Sequence, residues 1–398
     1  MKVLQINSVC GYGSTGRIVT DIYGVLKAKE HDCLIAYGRH NAPIGINSYR
    51  IGSDLDVYLH VLGTRIFDRN GFYSKNATSS FICRIEQYSP DIIHLHNLHG
   101  YYINIELLFD FLRVYNKPIV WTFHDCWAFT GHCTHFDYVC CEKWKSGCYG
   151  CQLKTEYPSS RCLDNSKWNY EMKRKLFTSI SNMTIVTPSK WLSGLVSQSF
   201  LGKGRNVVIN NGVDLEKFKP SNSDFRKKHS LEDRFIVLGV ASVWTESKGL
   251  ADFILLSKML NDKYRIVLVG IGPKESKLLP RNILYISRTN SAEELAGIYS
   301  AADVFVNPSK QESFGNVTIE ALACGTPAIV YGVTGCAESV NEKSGIVVDI
   351  RVGVDGILKA IQEIKKNPFK KEGVVMRGRK YGKEDRFNEY LKIYSENA

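Results

Sequence analysis

The sequence predicts an α/β protein with two parallel-sheet domains. Apolar runs of strand length alternate with segments of helical periodicity along all 398 residues, which is typical of parallel α/β folds rather than sandwiches or bundles. A chain of this length, with 44% apolar and 23% charged residues, can bury two ordinary cores. Its apolar stretches fall well short of the roughly 20 residues that cross a bilayer.

Ten apolar runs predict the strands, five in each half of the chain. A polar stretch after residue 207 separates the halves, so we expect a first domain over 1–202, which residues 384–398 rejoin, and a second over 203–383. Each domain is expected to be Rossmann-like. The predicted strands are 3–9, 33–37, 92–95, 119–123 and 184–187 in the first sheet, and 235–240, 266–270, 283–286, 304–307 and 328–331 in the second.

The N-terminal sequence and the charge restrict the environment and the partners. The N-terminal residues have the character of a strand and not of a signal peptide, which predicts a cytoplasmic protein. The net charge of +11 favours an anionic partner. Lysines and arginines crowd residues 365–383, and this segment is either a solvated face or a patch that faces the inner surface of a membrane.

A glycine-rich turn, Gly11–Gly16, follows the first strand and precedes a helical segment over 17–29. Glycines there let the backbone approach a phosphate at a helix N-terminus. A dinucleotide site also needs an acidic residue at the end of the next strand, but that strand ends in Tyr37-Gly-Arg39. The turn is therefore a tight turn without a ligand, or an NADP site that uses Arg39.

The second half carries a more specific pattern. Glu312 lies in a polar, glycine-containing loop, and Glu320 lies eight residues later in a helical run that starts at Asn316. Two carboxylates beside a helix start suit a polyol that bears a diphosphate, because carboxylates bind hydroxyls and helix amides bind phosphate.

These residues resemble those of glycosyltransferase family 4, the retaining nucleotide-sugar transferases of GT-B fold. The resemblance implies two Rossmann-like domains that face each other across a cleft. Within the family, the sequence is most similar to enzymes of bacterial O-antigen, capsule and exopolysaccharide assembly. The matching motifs are Asn307-Pro-Ser309, Glu312 to Glu320, Cys324-Gly-Thr-Pro327, Asn210 to Asp214 and Lys248-Gly249, with looser matches at the glycine turn, Pro90 to His94 and Thr122-Phe-His124.

The resemblance also implies roles for individual residues. Glu312 would lie beside the transferred sugar and Glu320 would bind ribose hydroxyls. Lys248 would neutralise the diphosphate, while Gly315 and Asn316 would offer backbone donors. The implied donor-binding set further includes Gly13, Ser14, Ile286, Ser313, Phe314 and Val317.

One expected cation is missing from this pattern. The family usually has an arginine a few residues before the lysine, but Ser242 to Lys248 contains none. Either another basic residue, such as Arg288 or Arg17, takes its place, or the leaving group is stabilised less than usual.

A histidine, His124, follows the predicted strand 119–123 and would project from its carboxyl end, where open α/β sheets bind ligands. The resemblance places it near the reaction centre. We therefore expect His124 and Glu312 to be the catalytic residues.

A cysteine-rich loop over 126–165 comes directly after this histidine. Cys148 and Cys151 have the two-residue spacer that chelates zinc, and Cys133 with Cys140 or Cys141 could complete a tetrahedral set. The sequence thus predicts a structural zinc site at Cys133, Cys140, Cys148 and Cys151. Reduced, unbound thiols are the alternative.

Together these features predict a retaining glycosyltransferase that needs no cofactor for catalysis. Its donor would be a UDP- or GDP-sugar and its acceptor a saccharide, in particular a lipid-linked oligosaccharide of surface polysaccharide biosynthesis. Nucleic acid is not an expected partner. The alternatives are a non-catalytic nucleotide- or sugar-binding protein and an NADP-dependent oxidoreductase.

Overall fold

The computed structural model describes residues 1–397. The chain forms two compact units, one of residues 1–210 with 386–398 and the other of residues 211–385. The sequence analysis places these seams a few residues earlier, at 202 and 383. Each unit is described on its own below.

The first unit is built on a seven-stranded sheet in which every neighbouring pair of strands is parallel. The strand order β3-β2-β1-β4-β5-β6-β7 reverses direction between β1 and β4. The strands are β1 (Lys2–Val9), β2 (Asp32–Arg39), β3 (Ser48–Arg50), β4 (Ile92–Leu95), β5 (Ile119–Thr122), β6 (Met183–Thr187) and β7 (Arg205–Val208).

Helices cover this sheet because its central strands are apolar on both faces, as in β4 and β5, where all residues are buried. The helices are α1 (Gly13–Ala28), α2 (Asp54–Phe67), α3 (Lys75–Tyr88), α4 (Ile105–Tyr115), α5 (Ser166–Phe177) and α6 (Lys190–Gln198).

The second unit repeats the arrangement with a six-stranded parallel sheet of order β10-β9-β8-β11-β12-β13. Its strands are β8 (Phe235–Val240), β9 (Tyr264–Val269), β10 (Ile283–Ile286), β11 (Val304–Asn307), β12 (Ala328–Tyr331) and β13 (Gly345–Val348). Its helices are α7 (Phe225–Lys228), α8 (Leu250–Met259), α9 (Ala292–Ala301), α10 (Asn316–Ala323), α11 (Gly353–Lys366) and α12 (Lys371–Arg379).

The last helix, α13 (Lys383–Asn397), is anchored in the first unit from residue 386 onward. The Tyr394 hydroxyl lies 2.6 Å from Nδ1 of His94, and the Tyr390 hydroxyl lies 3.1 Å from Oγ1 of Thr122. Buried aromatic side chains of α13 thus contact residues of β4 and β5.

The predicted fold class, two parallel-sheet α/β domains, is confirmed. All ten predicted strands are present within one or two residues, whereas β3, β7 and β13 were missed. These three strands lie at sheet edges. β3 and β7 contain no fully buried residue, so the apolar signal of these two strands is weak. Over residues 1–397, the helices all fall short of the length and apolarity that a membrane span requires.

Most cations of the basic segment near the C-terminus are exposed, but three of them also make contacts within the second unit. Lys365 lies over the Tyr264 ring at 4.0 Å, and the Arg377 guanidinium donates to the carbonyl oxygens of Ser339 and Glu338. Lys383 pairs with Asp214 at 2.9 Å. Several of these cations therefore stabilise the second unit itself.

Candidate active site

The strand order of the second unit reverses between β8 and β11, and open α/β sheets bind ligands at the carboxyl ends of strands at such a point. Lys248 comes shortly after β8 and Glu312 shortly after β11. Two residues 64 positions apart in sequence therefore meet at one edge of the sheet.

Their side chains form an ion pair between Nζ of Lys248 and Oε2 of Glu312. Nζ also donates to the carbonyl oxygen of Gln311 at 3.3 Å, and the Ser309 hydroxyl lies 3.4 Å from the same Glu312 oxygen. The side chains are 32% and 21% exposed, so a ligand can reach both while water is partly excluded. The site thus presents one cation and one carboxylate, each fixed by hydrogen bonds to neighbouring groups.

Two glycines make this close approach possible. Gly249 has φ +77°, and a Cβ atom there would lie 2.6 Å from Cγ of Pro308. Gly315 has φ +88°, and a Cβ atom there would lie 2.9 Å from Sγ of Cys336. Since side chains larger than hydrogen fit neither the backbone angle nor the space, both turns depend on glycine.

Helix α10 begins at Asn316 directly behind the Glu312 loop, with Gly315 as its N-cap residue. The first amides of a helix have no partner within the helix and favour anions. Farther along α10, the carboxylate of Glu320 accepts a hydrogen bond from the Tyr299 hydroxyl at 3.1 Å. Asn211 donates to Oδ1 of Asn316 at 3.0 Å, which ties the 210–214 motif to the start of the helix.

The other predicted donor-binding residues divide into two groups. In the second unit, Phe314 is buried against Tyr381, and the carbonyl oxygen of Ile286 accepts from the Gly270 amide at 2.8 Å. Ser313 and Val317 are half-buried beside Glu312 and α10. Gly13 and Ser14 are exposed at the start of α1, in the first unit.

In the first unit, His124 lies immediately after β5 and is half-buried. Its Nε2 lies 3.1 Å from Nδ1 of His96, whose Nε2 lies 3.3 Å from Oε1 of Gln5. Burial lowers the pKa of His124 to about 4, so the ring is neutral at neutral pH. His96 and Gln5 were not predicted as partners of His124, because they come from other parts of the sheet.

A second polar cluster beside His124 was also missed. Nε2 of His99 lies 2.8 Å from Oδ2 of Asp125, and Nδ1 of His99 lies 3.1 Å from the Tyr157 hydroxyl. Burial opposes ionisation of Asp125, but His99 and the hydrogen bonds outweigh it and lower the pKa of the carboxyl to about 2. The sequence offered one signal for this cluster, because Asp125 directly follows His124.

Of the two candidates for the missing arginine, Arg288 lies in the same unit as Lys248 and Arg17 lies in the first unit. The Arg17 Nε donates to the carbonyl oxygen of Gly13 at 3.2 Å, within its own turn of α1. Arg288 is exposed just beyond β10, two strands away from β8 in the sheet. The replacement of the absent cation by Arg17 or Arg288 therefore stays a prediction.

The structure does not support the predicted four-cysteine zinc site. Cys140 is exposed in a left-handed conformation, whereas Cys133, Cys148 and Cys151 line one small cavity with Cys141. Throughout residues 1–397, no three or more His, Cys, Asp or Glu side chains are grouped so that they could hold a metal ion. The alternative of free thiols agrees with the structure, in which all these cysteines are unbridged.

Other contacts order the cysteine-rich loop. Phe129, Phe136 and Trp144 pack together with two ring-centroid distances of 5.4 and 5.0 Å. The buried Asp68 carboxylate pairs with Nδ1 of His132, and burial, which opposes charge on the ring, is outweighed by this partner, so the pKa of His132 is raised. An aromatic cluster and a buried ion pair thus order the loop that zinc was expected to order.

Solved structures with this fold over the whole chain are glycosyltransferases. Sucrose-phosphate synthase from Thermosynechococcus elongatus superimposes with a TM-score of 0.73 at 17% identity, covering 99% of this chain and 98% of that one. Anabaena Alr3699/HepE, solved in complex with UDP and glucose, gives a TM-score of 0.69 at 15% identity and 100% coverage of both chains. The fold is therefore the GT-B fold, as predicted.

Sequence matches define the family. The family described as Glycosyltransferase Family 4 matches residues 15–217, about half of the chain, and Glycosyl transferases group 1 matches residues 221–384. The protein belongs to glycosyltransferase family 4 and is a transferase enzyme. This assignment sets aside the oxidoreductase alternative.

Two curated relatives are similar over part of their length. The putative colanic acid biosynthesis glycosyl transferase WcaC of Escherichia coli K12 is 28% identical over 289 residues, which are 71% of this chain and 69% of that protein. The capsular polysaccharide biosynthesis glycosyltransferase CapM of Staphylococcus aureus is 29% identical over 195 residues, 45% of this chain and 50% of that protein.

Proposed function

We propose that this protein transfers a sugar, with retention of anomeric configuration, from a nucleotide-sugar donor to a saccharide acceptor in surface polysaccharide biosynthesis. The observation that carries the proposal is the pairing of Lys248 with Glu312 where the strand order of the second sheet reverses, directly before the N-terminus of α10. A held cation and unpaired helix amides suit a diphosphate, and a held carboxylate suits sugar hydroxyls.

In this proposal the second unit binds the donor. Lys248 and the first amides of α10 stabilise the negative charge that develops on the diphosphate as the glycosidic bond breaks, which is the largest contribution when no metal ion takes part. Glu312 holds Lys248 in place before the donor arrives and positions the sugar. The acceptor hydroxyl attacks from the face that the diphosphate leaves.

The nature of the substrates is inferred from the relatives. WcaC and CapM are named for colanic acid and capsular polysaccharide biosynthesis, and Alr3699/HepE was solved with UDP-glucose as well as with UDP and glucose. These names support a nucleotide-linked sugar donor, UDP- or GDP-linked, and a saccharide acceptor. In the proposal that acceptor is lipid-linked.

The test is a binding panel of UDP, GDP, ADP and NADP on wild type, Lys248→Met and Glu320→Ala, measured by thermal shift and calorimetry. We expect one nucleoside diphosphate to raise Tm, because a ligand that binds only the folded protein stabilises it. Lys248→Met should weaken its binding about tenfold or more, since a charged hydrogen bond contributes about 1.5–3 kcal/mol. Lys274→Met, which removes an exposed lysine from the same unit, is the matched control.

Turnover is then followed with the matching nucleotide-sugar and an oligosaccharide acceptor, and NMR of the product gives its anomeric configuration. An inverted product would disprove retention. Donor binding without transfer to any acceptor would favour the non-catalytic alternative, and failure of all four nucleotides to bind would reject the donor site.

A further inference from the structure

Helix α2 buries two polar side chains and exposes its large apolar ones. Its two fully buried side chains are His60 and Thr64. His60 is held by hydrogen bonds from the Gly71 amide at 3.1 Å and with the Ser74 hydroxyl at 2.8 Å. This is the reverse of a surface helix on a soluble protein, which turns its apolar stripe toward the core.

Six large apolar side chains of α2 are exposed, between 36% and 65% of their surface. Their spacing of three and four residues places most of them on one side of the helix. We call this set the α2 apolar face: Leu55, Tyr58, Leu59, Leu62, Ile66 and Phe67. A contiguous group of this kind on a folded protein marks a binding surface, whereas isolated exposed apolar residues need no explanation.

The segment after the cysteine-rich loop extends this face. The Leu163 amide donates to the carbonyl oxygen of Ile66 at 3.1 Å, and the Leu163 side chain is itself 49% exposed. The Arg161 amide donates to the carbonyl oxygen of Arg65 at 2.8 Å. Backbone hydrogen bonds thus hold a second apolar residue and a second arginine beside the end of α2.

The rim of the face is cationic. Arg65, Arg69 and Arg161 are exposed around the C-terminal end of α2, and Lys75 lines a shallow depression with Leu59. The acidic residues at the other end already have partners, since Asp54 pairs with Arg50 and Asp56 caps the helix at Ser53. The unsatisfied charge beside the apolar face is therefore positive.

We propose that the α2 apolar face is a docking surface for an anionic lipid bilayer. An amphipathic helix with aromatic and aliphatic residues on one side and arginines or lysines beside them lies in the plane of a membrane interface, with its apolar residues among the acyl chains and its cations at the lipid phosphates. Leu55, Leu59 and Leu62 enter the apolar layer, while Arg65 and Arg161 contact the headgroups.

This inference deepens the proposed function and rests on its lipid-linked acceptor, because such a substrate is presented at a membrane surface. It also places the membrane contact in the first unit and not in the basic segment 365–383, where several cations are engaged within the second unit.

The experiment is flotation of the purified full chain with vesicles, without donor or acceptor. Wild type is expected to bind vesicles that contain phosphatidylglycerol at least tenfold more strongly than pure phosphatidylcholine vesicles, and added salt should weaken the binding. Leu59→Glu with Leu62→Glu should abolish binding, and Arg65→Gln with Arg161→Gln should reduce it severalfold. Leu255→Glu is the matched control, because Leu255 is a 49% exposed leucine on a helix of the other unit.

Absence of vesicle binding by wild type, or binding that survives the double glutamate change, would overturn the inference. Light scattering of wild type and Leu62→Glu provides a second measurement. A dimer that becomes a monomer on this change would show that a second copy covers the face, which also overturns the proposal. Nucleotide binding is measured separately in the other unit, so a failed vesicle experiment beside intact nucleotide binding rejects the docking surface alone.

Discussion

The buried hydroxyl of Tyr299 donates a hydrogen bond to Oε2 of Glu320 at 3.1 Å. Tyr299 lies in α9 and Glu320 in α10, and the tyrosine is fully buried. Tyr299 therefore fixes the Glu320 carboxylate, which we expect to bind the ribose. A ligand does not need to contact Tyr299 itself. This makes Tyr299 a positioning residue in the proposed donor site.

Removal of this hydroxyl should weaken nucleotide binding through the ribose. We expect Tyr299→Phe to raise the Kd of the nucleoside diphosphate about tenfold, as for the loss of one hydrogen bond to a charged group. Calorimetry with the 2′,3′-dideoxy nucleotide should show no such loss, because that ligand lacks the hydroxyls. Tyr285→Phe, at a 45% exposed tyrosine, is the control. Equal losses for both nucleotides would mean that the tyrosine acts only on folding.

The hydrogen bonds of Gln5 predict the tautomer of His124. Nε2 of Gln5 donates to the carbonyl oxygen of Val19 at 3.1 Å, so its Oε1 faces His96 as an acceptor. His96 then carries its proton on Nε2 and accepts on Nδ1, because burial lowers its pKa well below the usual range and excludes the doubly protonated ring. His124 must therefore donate from Nε2.

We expect nitrogen-15 NMR of the histidine rings at pH 7 to find both His96 and His124 neutral and protonated on Nε2. Gln5→Leu removes the acceptor and should give mixed tautomers, whereas His40→Asn, at an exposed histidine, should not change them. A doubly protonated His124 at neutral pH would contradict the assignment.

Buried neutral histidines should make the first unit less stable in mild acid. Burial lowers the pKa of His60 to about 3 and lowers those of His94 and His96 well below 6.5. The unfolded chain binds protons at these sites near pH 6.5 and the folded chain does not, so stability falls as the pH drops through that range. His132, with its raised pKa, acts in the opposite direction.

Each of these three histidines, and likewise His124 with its pKa of about 4, should cost about 1 kcal/mol between pH 7.5 and 5.5. Tryptophan fluorescence during urea unfolding mainly reports on this unit, since five of the six tryptophans lie within residues 1–210. His60→Asn should reduce the slope of stability against pH, and His40→Asn should leave it unchanged. A wild-type slope near zero would contradict the prediction.

One thiol of the cysteine-rich loop should be unusually reactive. A hydrogen bond from the Cys133 thiol, opposed by burial, lowers the pKa of Cys151 to about 7. Because the thiolate is the nucleophile, alkylation of Cys151 by iodoacetamide should rise with pH about a midpoint near 7. Mass spectrometry of the alkylated peptides measures this rate.

Cys133→Ala removes the donor and should move the midpoint for Cys151 toward 9, whereas Cys162→Ala, at an exposed cysteine, should not move it. If the midpoint stays near 7 in Cys133→Ala, another group stabilises the thiolate.

The sequence by itself determined the fold class, the positions of ten strands and the pairing of the Glu312 loop with α10. These features depend on local signals, because buried parallel strands are apolar along their whole length and turns of positive φ need glycine. The edge strands β3, β7 and β13 appeared only in the structure, and of these β3 and β7 have no fully buried residue.

Only the tertiary structure decided which distant side chains meet. Lys248 contacts Glu312, Tyr299 contacts Glu320 and Gln5 contacts His96, in each case because neighbouring strands or helices bring together residues far apart in sequence. It also gives no support to a zinc site at Cys133, Cys140, Cys148 and Cys151, since spacing does not fix the direction in which a loop turns its thiols. Whether the apolar stripe of α2 faces the core or the solvent depends on packing, which the periodicity of a sequence does not contain.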